Sequence, residues 1–112
     1  MHEAHNLMPE TLRAQIPALY AAEKTPDPTV WAKYFTPDSS WTWYAIEFDP
    51  EEKLFFGWVV GLEQELGYFS LNELEENTGP LGLRIERDLG FTAQPLSQVQ
   101  AKHQGREEEV CL

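Results

Sequence analysis

SWTWYAIEFDPEEKLFFGWVVGL, residues 40–62, holds two runs of bulky residues about a polar centre. Bulky β-formers fill both sides of DPEEK, a segment rich in turn residues, so residues 40–48 and 54–62 read as two antiparallel strands. The first strand also raises a question of function. Within residues 40–52 it sets Trp41, Trp43 and Tyr44 beside four acids, Glu47, Asp49, Glu51 and Glu52.

The neighbouring segments extend the same pattern. VWAKYFT at 30–36 reads as a strand, and PDSS at 37–40 as the turn that follows it. After the third strand, EQEL reads as a loop and GYFS at 67–70 as a short fourth strand. Ser70-Leu71-Asn72-Glu73 fits the S-x-x-E capping box, which predicts a helix over 71–76 that Gly79-Pro80 stops. A short helix is expected over 9–16, opened by Pro9 and ended by Pro17, with TPDPT at 25–29 as an extended connection. Residues 84–91 read as extended, and 95–103 as a short helix that frays after Gly105. The expectation is a single α+β domain: a four-stranded antiparallel β-meander with short flanking helices, its core at about 9–103. Residues 1–8 are expected to fray, and residues 104–112 to form an acidic tail.

Turns centred on Asp38-Ser39 and Glu51 set the register. Tyr34 then lies opposite Trp43, Ala32 opposite Ala45, Tyr44 opposite Trp58, Ile46 opposite Phe56 and Phe48 opposite Leu54. Alternation sorts side chains onto two faces. One is apolar: Trp31, Phe35, Tyr44, Ile46, Phe48, Leu54, Phe56, Trp58 and Val60. The other carries Tyr34, Trp41, Trp43, Ala45, Glu47, Asp49, Phe55, Gly57, Val59 and Gly61, with Tyr68, paired near Gly61, joining it. Gly57 then lies opposite Ala45 and Gly61 opposite Trp41; a glycine in a strand marks close approach by another group, here an indole laid flat across the neighbouring strand. This second face is either a smaller core with its acids at a wet strand end, or a partly open aromatic groove with an acidic rim. A groove of that kind suits a basic side chain through cation–π contact and charge.

Composition narrows the partners. Net charge is −11, and between residues 38 and 77 ten acids face one base, Lys53. Such a field repels phosphate backbones, so direct nucleic-acid binding is disfavoured and a protein with a basic surface is favoured. One cysteine, Cys111, permits no internal disulfide. With no apolar run of membrane length and no signal-peptide pattern at the start, the expected location is the cytoplasm.

Chemical motifs are sparse. Ser70 reads as a helix cap rather than a nucleophile. Cys111 follows three acids, which raise a thiol's pKa and dull it. His2 and His5 have His-x-x-His spacing, but a chain terminus offers them no further ligands. No cofactor motif is present, the glycine-rich phosphate loop included. Glu47, Asp49 and Glu65 form the alternative, a metal set for a hydrolase of phosphate esters or nucleotides, with Arg87 steadying the developing charge. Arg87 otherwise pairs with an acid of the sheet.

Three pieces together resemble the bacterial and phage domain-of-unknown-function family 2958: KYFTPDSSWTWYAIEFDPEE (33–52), LFFGWVVGLEQELGYFSLNELEE (54–76) and GPLGLRIERDLGFTAQPLSQV (79–99). IPALY at 16–20 fits the family's LPALY-type start. The resemblance implies a small domain, free-standing or within larger proteins of phages, plasmids and integrative elements, and it carries no reaction with it. Sequence and resemblance together lead to a non-catalytic, acidic protein-interaction module of a mobile element. It would bind or inhibit a nucleic-acid-handling protein, with nucleic-acid mimicry as the sharper form. The expected binding residues are Tyr34, Trp41, Trp43, Glu47, Asp49, Tyr68 and Arg87.

Overall fold

The computed structural model describes residues 3–111, with side chains up to residue 104. In chain order it holds a 3-10 turn (Glu3–His5), helix α1 (Glu10–Gln15), strands β1 (Thr29–Val30), β2 (Ala32–Phe35), β3 (Thr42–Asp49), β4 (Leu54–Val60) and β5 (Gln64–Ser70), helix α2 (Leu71–Glu76), strands β6 (Glu86–Arg87) and β7 (Gln94–Pro95), and helix α3 (Leu96–Cys111). The main sheet has five antiparallel strands in the order β5-β4-β3-β2-β6, and β1 pairs with β7 in a separate two-stranded ribbon. The class is α+β as expected, but the four-stranded meander is corrected to five strands plus two.

Each difference has a local cause. The strand expected over 30–36 divides at Trp31, whose N–H donates to the Ala45 carbonyl while Val30 pairs with Gln94. The EQEL loop is instead the start of β5. Gly61 N–H donates to the Glu63 carbonyl at 3.0 Å, which closes the hairpin early and leaves Gln64 free to pair with Val60. The polar character of 63–65 misleads because β5 is an edge strand, half of which faces water. α2 begins where the capping box places it, with Ser70 Oγ accepting from Glu73 N–H at 3.3 Å. α3 does not end at Gly105 but continues to Cys111. Asp27 anchors its start from the preceding connection, accepting from Ser97 N–H at 2.9 Å and from Ser97 Oγ at 2.7 Å. Those bonds to the carboxylate, the hydroxyl's foremost, hold the Asp27 pKa below its ordinary value.

The central event is a β-bulge in β3. The register runs as expected through Tyr34–Trp43, Ala32–Ala45, Tyr44–Trp58 and Ala45–Gly57. Ile46 is then an extra residue, and pairing resumes as Glu47–Phe56, Phe48–Phe55 and Asp49–Leu54. A one-residue slip turns every later side chain to the other face. Phe48 therefore joins Tyr34, Ala45, Phe55 and Phe69, where its ring lies 4.7 Å from that of Phe55. Glu47 crosses to the face of Ile46 and Phe56.

Both sides of the sheet are covered. Leu7, Leu12 and Ile16, from the N-terminal segment and α1, pack over Tyr34, Ala45 and Phe55, with Trp31 against the same cluster. Residues 3–8, expected to fray, belong to this core: Leu7 is buried and its carbonyl accepts from Tyr34 Oη at 2.6 Å. On the opposite side Leu96 and Val99 of α3 cover Tyr44, Ile46, Trp58 and Val60. Among the described residues, no helix is long and apolar enough to cross a membrane.

Candidate functional site: an aromatic cleft with an acidic rim

The two readings of the tryptophan face hold in different places. Its middle is core, and its end is open. Tyr34 is fully buried, and burial pushes its hydroxyl far above the ordinary tyrosine range. One strand over, Trp43 is half-buried and packs on the edge of that core. Trp41 is 38% exposed and stacks on Trp43, with centroids 5.9 Å apart at an interplanar angle of 25°. The Trp41 indole covers Gly61, where a Cβ would run into the ring, so that glycine has the role expected of it. A Cβ on Gly57 would instead meet the backbone carbonyl of Tyr44, a close approach next to the bulge.

The stacked pair forms one wall of a cleft of about 360 Å³. Phe69, Ser70, Glu73, Leu74, Asn77, Ile85 and residues 78–80 line the rest of it. Among the described residues its lining contains one carboxylate, Glu73, and no basic side chain. The register Tyr34–Trp43–Val59–Glu65 runs straight across the sheet, so Glu65 stands on the tryptophan face at the free edge. Two strand spacings put it roughly 10 Å from Trp43. Asp38 braces the 78–83 loop: Oδ2 accepts from Leu81 N–H at 2.7 Å and Leu83 N–H at 3.4 Å, while Oδ1 sits against Gly79 with no hydrogen-bond partner among the described residues. A side chain on Gly79 would collide with that carboxylate.

The other expected site residues lie elsewhere. Past the bulge, Glu47 is on the opposite face and only 4% exposed, with Oε1 accepting from Tyr20 N–H at 2.9 Å and Oε2 from Ala22 N–H at 2.8 Å. It pins the 17–24 segment, in which Tyr20 adopts a positive φ of 70°. Tyr68 pairs with Phe56, not beside Gly61, and is 52% exposed on that same opposite face. Its pKa is raised, first by a hydrogen bond with the Tyr20 hydroxyl. Asp49 shapes the β3–β4 turn by accepting from Glu51 N–H at 3.0 Å. Arg87 ties β6 to the N-terminal segment, donating to Asn6 O and Glu3 Oε1, both at 2.8 Å, rather than to an acid of the sheet.

The alternative ligand set is not assembled, because Glu65 faces away from Glu47 and both Glu47 oxygens are occupied. Among the described residues no three His, Cys, Asp or Glu side chains are grouped to hold a metal ion. His2 and the Cys111 side chain lie outside the described residues. The sequence reading missed the α2 wall. Its signal was the capping box, which fixes Glu73 beside Ser70 and so beside the sheet end.

Fold and cleft define an antiparallel-sheet α+β domain with an aromatic opening at one end of its core. The chain belongs to the family described as Protein of unknown function (DUF2958), whose model matches residues 7–109. No curated protein and no solved structure matches the chain.

Proposed function

We propose that this chain is a non-catalytic interaction domain of a phage or plasmid element, and that its tryptophan cleft takes a basic segment of a partner protein in the cytoplasm. The observation that carries the reading is the Trp41–Trp43 stack, left open beside Glu73 in a cleft lined by no base. An arginine or lysine laid on an exposed indole gains about 0.5–1 kcal/mol from cation–π attraction, and more where the contact is desolvated. The surrounding field adds to this. Of the ten acids between residues 38 and 77, Glu51, Glu52, Glu63, Glu65, Glu73, Glu75 and Glu76 are exposed. The ion pairs Lys33–Asp88 and Arg87–Glu3, and the contact of His5 with Glu86, take their acids from outside that stretch.

Such a field steers a basic surface towards the cleft. A nucleic-acid-handling protein, whose own surface is built for phosphates, is the partner class that fits, and the carboxylates would compete with its nucleic acid. The test is a titration of the protein with a capped arginine-rich peptide and its citrulline analogue, followed by tryptophan fluorescence. The arginine peptide is expected to change the emission and to lose affinity as salt is raised. Equal response to the neutral analogue would defeat the proposal.

A further inference from the structure

β5 ends the main sheet, and the pairing pattern fixes which of its backbone groups are already used. Leu71 N–H donates to Lys53 O, and Gly61 N–H donates to Glu63 O. Antiparallel ladders alternate, so the intervening odd-numbered residues Glu65, Gly67 and Phe69 bond inward to β4. Gln64, Leu66 and Tyr68 therefore turn their N–H and C=O groups outward, and among the described residues no hydrogen bond reaches them.

Edge strands are ordinarily protected by lysine, proline, a bulge or a covering segment. β5 has neither a lysine nor a proline, and its pairing with β4 is unbroken over seven residues. It also carries large apolar groups in the open. Leu66 is 53% exposed and Tyr68 52%, and with Tyr20, Phe56 and Pro26 they line a hollow of about 400 Å³. On the other face the edge shows Glu65 and then Gly67, where an added Cβ would meet nothing.

We propose that this edge is a strand-addition site for an extended segment of a partner protein in which apolar residues alternate with lysine or arginine. A strand added antiparallel to β5 alternates its side chains between the two faces. One set lands on the Tyr20–Leu66–Tyr68 surface, and the other beside Glu65 with Glu63 near the turn. Charge selects this occupant over a second copy, because two β5 edges paired antiparallel about Leu66 would set the two Glu65 carboxylates diagonally across one face, about 7–8 Å apart, with no base between them. The site is separate from the tryptophan cleft in its backbone groups and in its apolar face, so either can fail alone.

A blocked peptide alternating valine and lysine, added to ¹⁵N-labelled protein, tests the assignment. The expected result is slowed exchange and shifted resonances at the Leu66 and Tyr68 amides, unchanged in Trp41→Ala. Backbone bonds to Leu66 and Tyr68 come from peptide residues on their own face, the valines. N-methylating the valines should then weaken binding about tenfold for each bond lost, while N-methylating the lysines should not. Leu66→Pro removes an outward N–H without touching the β4 ladder, and should weaken binding similarly with an unchanged unfolding midpoint. Unmoved Leu66 and Tyr68 amides at saturating peptide, or indifference to valine methylation, would overturn the proposal. Protection that grows with protein concentration alone would assign the edge to a second copy and overturn it too.

Discussion

Glu47 shows how one side chain directs the chain around it. A buried carboxylate is tolerated only where its oxygens are satisfied, and here the amides of residues 20 and 22 satisfy both. Glu47→Gln keeps the shape but turns an NH₂ towards one of those donors. It is expected to lower stability by about 1–3 kcal/mol in urea unfolding, the usual result of setting a buried donor against a donor. An unchanged midpoint would mean that the 17–24 segment does not depend on this contact. Tyr34 makes the complementary case for a neutral group. Its hydroxyl pKa is raised by burial, so the folded state keeps its proton at a pH where the unfolded state has lost it. The stability that Tyr34 contributes is therefore fully present below about pH 10, the unfolded value, and falls as pH rises above it. Tyr34→Phe strands the Leu7 carbonyl, at a cost of about 1–3 kcal/mol near neutrality, and should flatten the alkaline fall seen in unfolding midpoints measured from pH 8 to 11. An equally steep alkaline fall in the variant would point to other tyrosines.

At the scale of elements, the two sheet glycines separate a neighbour that can move from one that cannot. A Cβ at Gly61 meets the end of the Trp41 ring, and that partly exposed side chain can swing out. Gly57 faces the Tyr44 carbonyl in the middle of a ladder, where displacement opens the sheet. Gly57→Ala is expected to lose about 3 kcal/mol or more, and Gly61→Ala under about 1, by thermal or urea unfolding. Reversed costs would refute the bulge geometry. These glycines also mark how far the sequence could be read. Alternation and turn length were enough to pair Tyr34 with Trp43 and Ala45 with Gly57, and to lay an indole over Gly61. They could not reveal the bulge, because nothing local in WYAIEFD distinguishes Ile46 from its neighbours. The slip is rewarded by distant groups: the amides of residues 20 and 22 for Glu47, and the Phe55 ring for Phe48. The N-terminal segment escaped for a similar reason, since Leu7 gains its burial only once Tyr34 is in place. The candidate site was half legible. Its tryptophans could be named, whereas the slip puts Glu47 on the face opposite to the expected one, and the early closure of the β4–β5 hairpin does the same for Tyr68 by pairing it with Phe56.

For the whole molecule, the sheet divides two sets of surfaces. Leu7, Leu12 and Ile16 pack on one face and Leu96 and Val99 of α3 on the other, and the tryptophan cleft and the β5 edge are two places that stay open. Glu73 lies at the first opening and Glu63 and Glu65 at the second, in a chain of net charge −11, and the proposed basic partner rests on that field. In the proposed division of labour Trp41 serves binding, while Trp43 and Tyr34 pack in and against the core. Titration of Trp41→Ala with the capped arginine-rich peptide tests this most directly, read by calorimetry because the variant lacks one of the four tryptophans. Affinity is expected to fall about two- to fivefold, the share of one exposed cation–π contact, in a protein whose urea midpoint stays close to that of the parent. Undiminished affinity in a folded Trp41→Ala variant would contradict it.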